Sequence, residues 1–379
     1  PADPHDTPLY TFAHEWSRPA PLASGAQGGD ILSAQERDEP LSIRELGEFL
    51  RDPVRSFFRQ RLRVGLEMQD EASENHEPFE VDALQAWQLQ DELIRAQLRA
   101  MERGEDDLDA VARERLERMH RSGDLAAGGF GEVIGEELLE PMQELFNEYR
   151  KALARWPTML AHQYEIRLDV QRDGRTLELL DWIDDVREGE GGALGRVILD
   201  AGTLVKDNKY RGDRLVAYWV AHVAAQLAAG EVTTVIVSKV GVAEFAPVAP
   251  DVARAWLLDL LAAWDEGARR PLPLAVKTAF AWLRKLPVDF VAGSGEIPAE
   301  AWDAARMAFE GAARLSGERD TNLYLRRAFP DFDTLITGDE FVALATSLLM
   351  PVQRAPLSSS KNKRTANAAG ATESAGETA

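Results

Sequence analysis

One stretch constrains the fold more than any other: YEIRLDVQRDGRTLELLDWIDDV, residues 164–186, in which apolar side chains recur at every second position on either side of Asp173-Gly174. A period of two belongs to strands with one buried face, and an Asp-Gly pair between two such runs closes a β-hairpin. Much of the text before it, from Ser42 onward, has a helical period instead. The chain is therefore neither all-helical nor all-sheet. A mixed α/β protein is predicted, with a large helical N-terminal portion packed around a small mixed sheet over residues 164–245.

Within the helical portion, Ser42 and Glu45 form a capping box ahead of Leu46, Phe49 and Leu50, and Pro53 breaks that helix. A second short helix carries Val54, Phe57, Phe58 and Leu62. After the acidic linker QDEASENHEPFE, a helix starting near Asp82 carries Leu84, Trp87, Leu89, Leu93 and Ile94, and charged helical text continues through Met101 to His120. GEELLEPMQELFNEYRKALARW reads as one helix or as two broken at Pro141. Beyond the hairpin, GRVILD is a third strand, RLVAYWVAHVAAQLAAG a buried helix ending at Gly230, and TTVIVSKV with GVAEFAPV a second hairpin. Helices over residues 251–265, 275–284, 299–314 and 339–349 follow. Four segments are expected. Residues 1–40 are an extended lead-in, with Leu9, Tyr10, Phe12 and Trp16 lying across another surface; 41–160 are helical; 161–355 are an α/β core with C-terminal helices; and 356–379 are a disordered tail without periodicity or aromatics.

Composition narrows the chemistry. With no cysteine, the chain has no thiolate nucleophile, disulfide or zinc-thiolate site, which fits a reducing cytoplasm. No apolar run reaches the length of a membrane span and no signal-peptide pattern opens the chain, which starts PADPHD without a methionine, as a piece of a longer protein would. No G-x-x-x-x-G-K-[ST] occurs, the six histidines are scattered, and His222 within an apolar helix reads as a satisfied core residue. No cofactor is expected. The formal net charge of −21 should repel nucleic acid unless cations gather on one surface. They gather at Arg44, Arg51, Arg55, Arg59, Arg61 and Arg63, against Glu45, Glu48 and Asp52. The block is either a solvated helix face with i,i+4 pairs or a contact for phosphate or a partner. Arg51, Arg55, Arg59 and Arg63, spaced by four, are the candidate DNA contacts, on one stripe if the helix continues through Pro53.

Two-metal phosphodiester cleavage needs carboxylates at neighbouring strand ends and a lysine that orients water or stabilises charge. Asp184 ends the second strand of the hairpin and Asp200 ends VILD, the spacing of a PD-(D/E)xK core. Two residues on, however, stands Gly202, which can neither carry charge nor donate a side-chain hydrogen bond. Asp207-Asn208-Lys209 matches the short pattern further along, in a loop. An active nuclease would use Asp184, Asp200 and Lys209. The reading adopted is a degenerate restriction-endonuclease-like core, in which Asp184, Asp200 and Gly202 mark the lost positions and no catalytic or metal-ligating set survives.

Several blocks in order, HDTPLYTFAHEW, LSIRELGEFLRDPVRSFFRQRLRV, EPFEVDALQAWQLQDELI, LAAGGFGE, RLVAYWVAHV, PLPLAVKTAFAWL and TGDEFVALATSLLMPV, resemble the C-terminal part of the RecC family, the gamma subunits of exodeoxyribonuclease V, over residues 7–357. The resemblance implies a nuclease-like α/β domain that has lost its catalytic residues, inside a RecBCD helicase-nuclease. The active partner subunit of such complexes carries G-x-x-x-H, G-x-x-D, D-Y-K and Q-x-x-x-Y. Here Glu132 stands where histidine would follow Gly128, Asp184 closes Asp181-Trp182-Ile183-Asp184, Asp200-Ala201-Gly202 replaces the third motif, and Arg214 stands in place of glutamine before Tyr218. The resemblance also implies scaffolding of RecB-like and RecD-like subunits and passage of split DNA strands, with recognition of Chi attributed to the complete subunit. The expected function is a non-catalytic DNA-guiding and subunit-assembly domain, cytoplasmic and free of the membrane, in double-strand-break repair by homologous recombination. An active metal-dependent DNA nuclease and a purely protein-protein interaction module are the alternatives.

Overall fold

The computed structural model describes residues 31–66, 83–125, 128–291, 293, 296–312 and 315–358; the apolar islands of the lead-in, the acidic linker and most of the tail lie outside the described residues. The capping box is present: Ser42 Oγ accepts from Glu45 N at 3.2 Å and Glu45 Oε2 accepts from Ser42 N at 2.9 Å, starting α1 (Ile43–Arg51). Asp52, at φ −155°, ends α1 and caps α2 (Pro53–Ser56), whose first residue has no N–H to leave unsatisfied. A π-turn over Phe57–Arg61 completes the arginine block. The charged text after Ala83 is two helices, not one: Gly104 at φ +81° turns the chain between α3 (Ala83–Glu102) and α4 (Leu108–Ser122), which Asp107 caps. Pro141 likewise separates α5 (Gly129–Leu139) from α6 (Met142–Leu153).

β1 (Thr158–Met159) leads into the hairpin of β2 (Tyr164–Arg172) and β3 (Arg175–Ile183), paired from Tyr164↔Ile183 to Arg172↔Arg175. Asp173 and Gly174, both at positive φ, make its two-residue turn. There follow β4 (Arg187–Glu188), β5 (Leu194–Thr203), the small hairpin of β6 (Val205–Lys206) and β7 (Lys209–Tyr210), α7 (Gly212–Ala229), β8 (Val232–Val240) and β9 (Val242–Phe245). Next come α8 (Pro250–Gly267), α9 (Val276–Leu283), α10 (Ala299–Glu310), β10 (Gly311–Ala312), β11 (Leu315–Ser316), α11 (Glu318–Thr321) and α12 (Leu323–Ala328). After further helical turns the last strand is β12 (Pro356–Ser358).

Among the described residues the main sheet has six strands in the order β1-β4-β5-β8-β9-β12. β5 and β8 run parallel, in register from Leu194↔Val232 to Asp200↔Ser238, and the other neighbours are antiparallel. A parallel pair needs a crossover, and α7 supplies it. The arrangement differs from the sequence expectation in two respects. β2 and β3 form a two-stranded sheet of their own, and Pro356–Ser358, at the start of the expected tail, pairs with β9 at the sheet edge.

The layers explain why β5 and β8 are written as apolar runs: both faces of the sheet are covered. Ile198 and Ile236 face the larger core with α1, α7, α8, α9 and the buried side of the β2–β3 hairpin. Val197, Ala201, Val235 and Val237 face α3 and α6 on the other side. Gly195 lets the Trp156 ring lie flat on β5, where a Cβ would come within 2.2 Å of the ring. Among the described residues no helix is long and apolar enough to cross a membrane.

Candidate functional site

The C-terminal end of α1, α2 and the π-turn present one side to an open cleft of about 560 Å³. Arg51, Arg55 and Arg59 line it, so the spacing of four survives the break at Asp52. Arg63 does not line it; the chain has left the π-turn there and takes a left-handed φ of 55°. Three cations that the sequence reading did not assign to this surface join them: Arg211 and Arg214 at the start of α7, and Lys277 in the first turn of α9. Six cationic side chains thus converge on a cleft whose acidic lining is Asp52, Asp213 and Glu318. Among the described residues only Arg211 of the six makes an ion pair, with Asp213 at 3.4 Å. Arg55 stacks over the Tyr324 ring at 6.0 Å.

The carboxylates of the cleft have structural partners. Asp52 accepts from Arg55 N at 3.0 Å and from Asn322 Nδ2 at 2.8 Å. Glu318 caps α9, accepting from Lys277 N at 3.1 Å, Thr278 N at 2.8 Å and Thr278 Oγ1 at 2.9 Å. Burial nevertheless dominates both groups and pushes each carboxyl above its ordinary range.

Asp200 lies next to this cleft. Its Oδ1 accepts from Gly202 N at 2.8 Å, and a Cβ on Gly202 would stand 3.1 and 3.3 Å from the two carboxylate oxygens. Tyr218 hydrogen-bonds Asp200; burial first, and then the Asp200 charge, push its hydroxyl well above the usual phenol range, while Arg51 and Arg214 act in the opposite sense. Both of those arginines line the cleft. Lys239 follows Ser238, the register partner of Asp200, and so points to the other face of the sheet, where its Nζ donates to Gln90.

Asp184 keeps different company. It is exposed, beside Asp185 at φ 56° and the buried guanidinium of Arg196. β3 pairs with β2 and not with β5, so the hairpin does not bring Asp184 alongside Asp200 by strand pairing. Lys209 is exposed in the β6–β7 hairpin, whose turn residues Asp207 and Asn208 have positive φ. Asp181 accepts from Ile43 N at 2.8 Å and so caps α1. Gly128 and Glu132 stand at the start of α5 in the helical layer. Among the described residues no three His, Asp or Glu side chains are grouped to hold a metal ion.

Fold and site together define a mixed α/β domain with a cationic cleft beside the Asp200 carboxylate of β5. The chain belongs to the RecC C-terminal domain family, whose model matches residues 38–287. It is 25% identical over 326 residues to the RecBCD enzyme subunit RecC of Escherichia coli (strain K12), covering 83% of this chain and 26% of that protein. It is 27% identical over 263 residues to the RecBCD enzyme subunit RecC of Mycolicibacterium smegmatis (strain ATCC 700084 / mc(2)155), covering 64% of this chain and 20% of that protein. The chain therefore spans between a fifth and about a quarter of the length of these relatives.

Proposed function

We infer that this chain is a non-catalytic, DNA-contacting and subunit-assembly portion of a RecBCD-type helicase-nuclease, acting in the cytoplasm with RecB-like and RecD-like subunits in double-strand-break repair by homologous recombination. The observation that carries the reading is the convergence of Arg51, Arg55, Arg59, Arg211, Arg214 and Lys277 on one cleft in a chain of net charge −21. Cations left without ion pairs on an acidic protein are suited to phosphate, and such contacts position a strand without reading its sequence. We read β5, α7 and β8 as the degenerate nuclease core, in which Gly202 stands where the acidic-x-Lys pattern would put a lysine after Asp200; this supports guidance of DNA rather than its cleavage.

The test has two arms. In the first, a labelled single-stranded oligonucleotide is titrated with the chain across a salt series. Arg51→Ala, Arg55→Ala and Arg214→Ala combined should weaken binding by about tenfold or more and lower the log–log salt slope by roughly 2, from about 0.7 per lost phosphate contact. Unchanged affinity would remove the cleft from DNA recognition and leave a protein-interaction module. In the second, magnesium- or manganese-dependent cleavage is assayed beside Asp184→Ala/Asp200→Ala. No cleavage is expected; cleavage abolished by the double substitution would instead make the chain a nuclease, with Lys209 next to be tested.

A further inference from the structure

Two adjoining hollows lie among α4, α5 and α6, with volumes of about 180 and 110 Å³, and they share Asp109, Met142 and Gln143, so they form one groove. Each is large beside the ~30 Å³ of liquid that one water molecule occupies, which leaves room for a side chain. Leu139, Met142 and Phe146 supply apolar lining. The charged lining is Asp106, Asp107, Asp109, Glu136 and Glu140, against Arg113 and Arg150. Asp107 has a local role, capping α4 through Ala110 N at 2.9 Å. The other four are exposed, and among the described residues none of their carboxylates makes an ion pair or a hydrogen bond.

Gln97 adds an independent observation. Its side chain lines the groove and is 1% exposed; Nε2 donates to Leu108 O at 3.0 Å, while the buried Oε1 has no donor. A buried acceptor without a partner is destabilising. One positively charged donor would satisfy this carbonyl and the unpaired carboxylates together, and a guanidinium has donors enough for both.

We propose that this groove is a docking site for an arginine side chain of a partner protein, carried on a segment whose apolar neighbours cover Leu139, Met142 and Phe146. Charge complementarity and the missing donor select the occupant. α6 packs on the face of the sheet opposite α7, so the site is separate from the cationic cleft and does not depend on its role. The acidic groove and the basic cleft give the chain two surfaces of opposite charge.

The probe is a short capped peptide alternating arginine with leucine, titrated by fluorescence anisotropy onto the full chain, beside a twin peptide with citrulline in place of arginine. The arginine peptide should bind, and Asp109→Asn/Glu140→Gln, at two exposed residues whose side chains make no capping hydrogen bond, should weaken it by about tenfold. Gln97→Met should weaken it as well. The proposal is overturned if citrulline and arginine peptides bind alike, or if the two surface substitutions leave binding unchanged. Displacement of the peptide by spermidine at equal concentration would mean that small cations fill the groove, and self-association abolished by the same substitutions would assign it to a second copy; either result also overturns the proposal.

Discussion

His222 shows what a single buried residue contributes. It is fully buried in α7, with Nδ1 2.9 Å from Thr234 Oγ1 and Nε2 3.1 Å from Ala246 O. A carbonyl can only accept, so Nε2 carries the proton and Nδ1 accepts from the threonine hydroxyl. Burial holds the imidazole neutral and lowers its pKa from 6.5 to about 4. The sign follows from linkage: the unfolded chain takes up the proton first as pH falls, so stability is fully present above pH 6.5 and is lost between 6.5 and about 4. The loss from this group should approach about 3 kcal/mol. Urea unfolding followed from pH 7 to pH 4 should show it, and His222→Gln should flatten that part of the profile. An unchanged slope in the variant would place the acid sensitivity elsewhere.

Among the elements, the β2–β3 hairpin has to be held by something other than the main sheet, and a buried charge cluster does this. Asp265 of α8 is fully buried and meets Arg172 at 3.2 Å, Arg269 at 2.9 Å and Arg175. Arg172 and Arg175 flank the hairpin turn, and Arg269 also pairs with Asp173 within it. The turn is thereby fastened to the end of α8. Removing the one carboxylate that the guanidiniums share leaves partly buried charges unpaired, and Asp265→Ala should cost about 3–5 kcal/mol. Chemical denaturation measures this; a loss below about 1 kcal/mol would show that the apolar face of the hairpin, with Ile166, Leu168, Leu177 and Leu179, anchors it unaided.

For the whole molecule, the question is how a chain of net charge −21 could hold DNA at all. Screening supplies the answer, because exposed charges act over about 8 Å at physiological ionic strength and about 30 Å at 0.01 M. Glu132 and Glu137 are exposed on α5, in the layer behind the sheet as seen from the cleft. Replacing both with glutamine should raise single-strand affinity at low ionic strength and leave it within about twofold at physiological salt, where only nearby cations act. An equal gain at both ionic strengths would mean that net charge, rather than the cleft, governs binding.

Features written in short stretches of text were legible from it. Alternation and Asp173-Gly174 specify the β2–β3 hairpin, Ser42 with Glu45 specifies the start of α1, and Arg51, Arg55 and Arg59 are a visible positive block because local spacing and turn chemistry act over a few residues. The same text reads as helical without a break from Met101 to His120, because charge composition outweighs Gly104 and the Asp107 cap. Which strand lies beside which, and which cations share a cleft, depend on contacts between residues far apart in the chain. Lys277 belongs to an apolar block and Arg214 to a degenerate motif, and neither context says that they face Arg51. α11 and α12, too short for periodicity to reveal, supply Glu318, Thr321, Leu323, Tyr324 and Leu325 to the cleft. By itself the sequence determined the longer elements, the acidic balance and the absence of a lysine two residues after Asp200. Only the tertiary structure decided that six separated cations would meet beside Asp200, because packing of the layers, rather than any local propensity, brings those positions together.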